Sequence, residues 1–142
     1  MIGNQTGSAQ LRNIADARAS VRHVFVRDLI LNGSIGIHKH EREALQRIRV
    51  NLDLAVREGE INLNFDNDLS KIVCYEKLTN GVRELVSRGH VNLVETLAED
   101  VAEMCLDDNR VRSVRVRIEK LDIFEDAESV GVEIERFNPE PQ

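Results

Sequence analysis

Between Gln46 and Val56, apolar residues fall on every second position. Ile48, Val50, Leu52, Leu54 and Val56 alternate with Arg47, Arg49, Asn51, Asp53 and Ala55. Successive strand side chains point to opposite faces, so this spacing predicts a β-strand with one buried and one wet face. Two later stretches repeat the pattern. Val114, Val116 and Ile118 alternate with Arg115, Arg117 and Glu119, and Val130, Val132 and Ile134 with Gly131, Glu133 and Glu135. Val21 to Ile30, rich in β-branched and aromatic residues, reads as another strand, and Asn32-Gly33-Ser34 as its break.

Between the strand pairs the period changes. Tyr75, Leu78, Val82, Leu85 and Val86 fall on one helical face, as do Leu93, Leu97, Val101, Met104 and Cys105. Ser87 to His90 forms the turn between the two helices, and Asp107-Asp108-Asn109 ends the second. Asn92 followed by Glu95 matches a capping box at the start of that helix. The order strand, strand, helix, helix, strand, strand predicts an α+β domain. Its four-stranded, mainly antiparallel sheet carries two helices on one face. The opposite face, with Arg47, Arg49, Arg115, Arg117, Glu133 and Glu135, has nothing left to cover it. Open edges also need protection. Edge-to-edge association of sheets into a ring answers both needs.

A chain of 142 residues makes one domain. Residues 1–20 are expected to be a flexible tail and 21–142 the folded unit. The net charge of −6 argues against a sequence-independent nucleic-acid binder. With 4% aromatic residues and no Trp, stacking platforms for single strands are not expected either. No apolar run approaches the ~18 residues of a membrane span. Two cysteines make no disulfide framework, and the N-terminal stretch has no apolar export signal. The cytoplasm is the expected location.

Candidate chemistry gathers in few places. Gly36 to Glu43 reads as a charged loop after the first strand, with Lys39 and Glu43 as solvated charges. His38, His40 and Glu41 lack a further His or Cys cluster at ligand spacing, so no metal is expected. Spacing alone makes Tyr75 an ordinary residue on the core face of a helix start. It makes Cys74 and Cys105 buried apolar positions, Cys74 with no helix-start setting to activate it, and Lys120 a surface lysine. Glu95 is explained by its cap. Phosphate loops and nucleophile elbows are absent.

Taken in order, several stretches resemble the dihydroneopterin aldolase family. They are Gly36-Ile37 leading to Glu41 and Arg42, then Gln46, Asp66-Asn67-Asp68-Leu69 and Val73-Cys74-Tyr75. Asn92 to Glu99, Lys120 and Val130 to Arg136 complete the series. The resemblance spans about Val21 to Phe137. It implies the tunnelling fold, ββααββ, with sheets joined into an oligomeric barrel. The expected assembly is a homo-octamer of two tetrameric rings with active sites between subunits. The implied reaction is retro-aldol cleavage of 7,8-dihydroneopterin, a step of folate biosynthesis. Its products are 6-hydroxymethyl-7,8-dihydropterin and glycolaldehyde, with no metal or cofactor.

The resemblance makes Lys120 the main acid/base. Tyr75, from the adjacent subunit, assists proton transfer, and Glu41 positions the substrate side chain or water. Glu95 holds the amino-pyrimidine edge of the pterin, and the backbone around Val73 and Val94 frames its ring. Leu121 stands where the family usually has Pro. The Lys-Leu pair is similar to the related dihydroneopterin triphosphate epimerases, for whose substrate Lys39, Arg42 and Arg47 are candidate phosphate contacts. A triphosphate 2′-epimerase, and a non-catalytic pterin-binding ring protein, are the alternatives.

Overall fold

The alternating segments pair into one sheet. The computed structural model describes residues 14–58 and 68–139. Most of the expected tail, and Asp66-Asn67 of the family-like stretch, lie outside the described residues. Strand β1 (Val21–Gly33) is followed by a short helix α1 (Lys39–Glu43) and β2 (Gln46–Arg57). Helices α2 (Tyr75–Ser87) and α3 (Val94–Leu106) precede β3 (Val111–Lys120) and β4 (Val130–Phe137). The four strands stand in the order β1-β2-β3-β4, each pair antiparallel. The expected α+β fold is thus found. No described helix is long and apolar enough to cross a membrane.

The period-two pattern sets the core. Ile48, Val50, Leu52 and Leu54 of β2 and Val114, Val116 and Ile118 of β3 are completely buried. Leu78, Val82 and Leu85 of α2 pack on them, with Leu97, Ala98, Val101, Ala102 and Cys105 of α3. Burial of the Cys105 thiol pushes its pKa up to about 12, so it behaves as a small apolar residue.

The opposite face of the sheet carries cross-strand charge pairs. Arg49 grips Glu119 with two hydrogen bonds of 2.9 and 2.8 Å. Arg115 meets Glu135 at 3.4 Å and Arg117 meets Glu133 at 3.5 Å. The Asp53 carboxylate holds His23 at 2.7 Å and Arg27 at 2.5 Å. Opposite charges across a strand pair support the register that buries the apolar face.

Three local readings are corrected. Strand β1 does not end at Ile30: Leu31, Asn32 and Gly33 go on pairing with Ile48, Arg47 and Gln46. Gly33 is there for packing, because an added Cβ would lie 3.0 Å from the Val86 side chain. Within β1 a bulge interrupts the register between Val26 and Leu29. Asp28 takes φ 52° there, and its N–H donates to Asn51 Oδ1 at 2.9 Å. The expected loop from Gly36 to Glu43 contains helix α1. Asn92 does not cap α3: that helix starts after Leu93, and its N-terminus has no side-chain cap.

Candidate active site

Strands β2 and β3 run antiparallel, so Lys120 at the end of β3 pairs with Ile48 at the start of β2. Helix α1 lies just before β2 and lowers Glu41 onto this corner. The Lys120 ammonium donates to Glu41 Oε2 at 2.8 Å. Glu41 is 3% exposed and the Lys120 side chain 15%. A surface lysine is therefore not what the structure shows. Its partner is a buried carboxylate, brought near by the fold rather than by sequence.

Three groups hold that carboxylate. Burial disfavours its charge. The Lys120 ammonium, the Gln46 amide and the His38 backbone N–H outweigh burial and lower the pKa to about 2. Gln46 Nε2 donates both to Glu41 Oε2 at 3.1 Å and to the Ile35 carbonyl at 2.7 Å. The His38 N–H reaches Glu41 Oε1 at 3.3 Å. Glu41 thus makes, with His38, the reach-back contact that the sequence pattern assigned to Glu95 and Asn92. Gly36, at φ +131°, closes the site: a Cβ there would fall 2.1 to 2.3 Å from the Glu41 carboxyl atoms.

Sequence reasoning passed over Gln46 as a site residue. Two acceptors face its Nε2, which orients the amide. Its Oε1 is left buried with no partner among the described residues. Its signals were its place at the first position of a strand and among the family-like stretches.

Acid should undo this arrangement. Glu41 and Glu119 both titrate at about 2 when folded, against 4.5 for the free group; Arg49 is the main cause at Glu119. A lowered folded pKa gives stability that is full above the free value and lost as pH falls through the folded one. Urea midpoints should be flat above pH ~5 and fall steadily from about 4.5 towards 2. An unchanged midpoint at pH ~3 would contradict the pairing.

The other expected site residues divide between two ends of the sheet. The Ile35–Val91 bridge and the hydrogen bond from Arg42 to Asn92 Oδ1, 2.7 Å, tie the start of α3 to the Glu41 corner. Val94, half-buried, and Glu95, exposed in the first turn, follow directly. Among the described residues no donor engages the Glu95 carboxylate. Tyr75 and Val73 lie elsewhere. They line a cavity of ≈180 Å³ with Arg22, Val56, Arg57 and Lys71, at the sheet end where Val56 pairs with Val111. From Ile48 to Val56 is roughly 27 Å of strand at ~3.4 Å per residue. Tyr75 is 67% exposed, contrary to a core-facing position. Cys74 is the N-cap of α2, so it does sit at a helix start.

The candidate phosphate contacts fare unequally. Arg47 is taken by Asp122 at 2.7 Å and Arg42 by Asn92, while Lys39 and Glu43 are exposed as expected. Leu121 uses the N–H that a proline lacks: it donates to the Arg47 carbonyl at 3.1 Å.

A half-buried lysine paired with a buried carboxylate thus occupies one corner of an antiparallel α+β sheet. The family model described as dihydroneopterin aldolase matches residues 24–135. A dihydroneopterin aldolase of Streptomyces coelicolor is 36% identical over 99 residues, 70% of this chain and 82% of that protein. The crystal structure of dihydroneopterin aldolase from Burkholderia thailendensis, bound to guanine, has TM-score 0.74 at 31% identity. It covers 91% of this chain and 98% of the other. The Escherichia coli enzyme in complex with neopterin has TM-score 0.73 at 27% identity, covering 81% and 98%. The chain belongs to the dihydroneopterin aldolase family.

Proposed function

We propose that the protein is a dihydroneopterin aldolase, a lyase that cleaves 7,8-dihydroneopterin by a retro-aldol step. The observation that carries this reading is the Lys120–Glu41 pair, with an acid–base group and a fixed acceptor in one half-buried corner. The side-chain hydroxyl on the second carbon gives up its proton, and the bond between the first and second carbons breaks. Glycolaldehyde leaves. The bonding electrons pass to the protonated ring imine, which is the electron sink. The enol-like first carbon then takes a proton and becomes the hydroxymethyl group.

Each residue has a part in that traffic. Lys120 exchanges the protons, through water, near the ring and the hydroxyl. Glu41 stays ionised and acts only as an acceptor that orients the side chain or water. Glu95 accepts two N–H groups from the amino-pyrimidine edge, and the backbone at Val94 and Val73 frames the ring. Tyr75 assists protonation of the enol-like first carbon.

Tyr75 stands too far along the sheet to serve Lys120 of its own chain, which supports a site shared between subunits. The open charged face and free strand edges support a ring, and the proposed assembly is an octamer of two tetrameric rings. Residues 21–142 are proposed as one domain. The cytoplasm is its proposed location, on the strength of two unpaired cysteines.

The test is incubation with 7,8-dihydroneopterin and, separately, its triphosphate, with glycolaldehyde and pterin products quantified. Release from the free substrate is expected. An untouched free substrate with an epimerised triphosphate would overturn the reading. Co-assembly of Tyr75→Phe and Lys120→Ala subunits tests the sharing. In mixed oligomers about a quarter of sites should regain both groups, so activity should exceed that of either variant alone. No recovery in verified mixed oligomers would place both groups in one chain.

A further inference from the structure

We infer that His90 is a positioning residue for the Glu41–Lys120 pair, acting through the Gly36 backbone. The inference rests on the aldolase reading of that pair. His90 lies in the α2–α3 turn, just after Gly89, whose φ of +133° lets the chain reverse. Its ring is half-buried and both nitrogens are engaged. His90 Nε2 stands 2.7 Å from the Gly36 carbonyl, and Nδ1 stands 2.6 Å from Ser34 Oγ. A carbonyl only accepts, so Nε2 carries the proton. In the neutral imidazole Nδ1 is then the acceptor, and the Ser34 hydroxyl donates to it.

The ring therefore clamps both ends of the Ser34-Ile35-Gly36 segment. Around it the backbone pairs with Val91: Gly36 N–H donates to the Val91 carbonyl at 2.9 Å, and Val91 N–H to the Ser34 carbonyl at 3.0 Å. Gly36 in turn abuts the Glu41 carboxylate with no room for a methyl group. The Ile35 carbonyl anchors Gln46, which also holds Glu41. A shift of this segment would loosen the carboxylate that Lys120 grips. Catalytic geometry is sensitive to displacements of an ångström or less. The side chain touches no reacting atom, so its effect passes through the Ser34–Gly36 backbone.

The test compares His90→Ala, His90→Gln and Ser34→Ala with the parent, as full-length assembled oligomers. Gln carries an N–H near the position of Nε2, and Ser34→Ala keeps the ring but frees its tautomer. Expected for His90→Ala is a fall of about tenfold in kcat, larger than any change in affinity for 6-hydroxymethyl-7,8-dihydropterin. His90→Gln should regain most of the loss, and Ser34→Ala should lose about threefold. A kcat for assembled His90→Ala within about twofold of the parent would overturn the inference. So would an equal loss in His90→Gln, or, if His90→Ala does not fold, an unaltered kcat in Ser34→Ala. A parent that releases no glycolaldehyde would instead sink the aldolase reading.

Discussion

Lys120→Ala should lower kcat by about 10²–10⁴-fold while leaving affinity for the hydroxymethyl pterin within a few-fold, because a positioned acid/base acts on the chemical step. The substitution also strands Glu41, a carboxylate that is 3% exposed and now lacks its ammonium. A buried charge without its partner is costly, so the variant should also melt at a lower temperature. Lys120→Arg separates the two effects. It restores a cation for Glu41 but not a group that can exchange protons near neutral pH. Stability should recover and turnover should not. Turnover unchanged in Lys120→Ala, measured at saturating substrate, would return Lys120 to the role of a structural ion-pair partner.

The second large effect is expected at Glu95. Its carboxylate lies in the first turn of α3 and meets no donor among the described residues, while the cap that would have occupied it is absent. Glu95→Gln keeps shape and length but turns one acceptor into a donor. An N–H of the pterin edge would then face an N–H. The loss of a charge-assisted partner costs roughly 2–5 kcal/mol, or about 30- to several-thousand-fold in affinity. Folding should be nearly unaffected, since none of the described residues leans on this carboxylate. Calorimetric titration with the product pterin measures it. Unchanged affinity with an unchanged melting temperature would remove Glu95 from the site.

The strands were the most legible part of the sequence. Alternation over β2, β4 and most of β3 reports burial directly, because exposure there follows parity; Glu119, at a polar-face position, is buried all the same beneath Arg49 and Ser129. What escaped was set by partners far along the chain. Lys120 looks like any strand-end lysine until the β2–β3 register carries it to Glu41. Asn92 and Glu95 have the spacing of a capping box, yet Arg42 takes the Asn92 side chain and α3 begins after Leu93. Helix α1 has only one turn and no apolar stripe, so its pattern of Lys, His, Glu and Arg carries no period to detect. Gly33 reads as a break in any local scheme. Here the Val86 side chain occupies the place a Cβ would need. The roles of Glu41, Tyr75, Glu95 and Lys120 came from resemblance rather than from spacing.

The separation of Tyr75 from Lys120 along the sheet has a consequence in mass action. In the proposed shared site, no isolated chain holds a full catalytic set, so turnover and association obey one equilibrium. Specific activity would then fall on dilution, with the fold of each subunit intact. A substitution at the contact between chains would count as a loss of enzyme before it registered as a loss of structure. Selection for chemistry and selection for assembly would act on this protein as a single pressure.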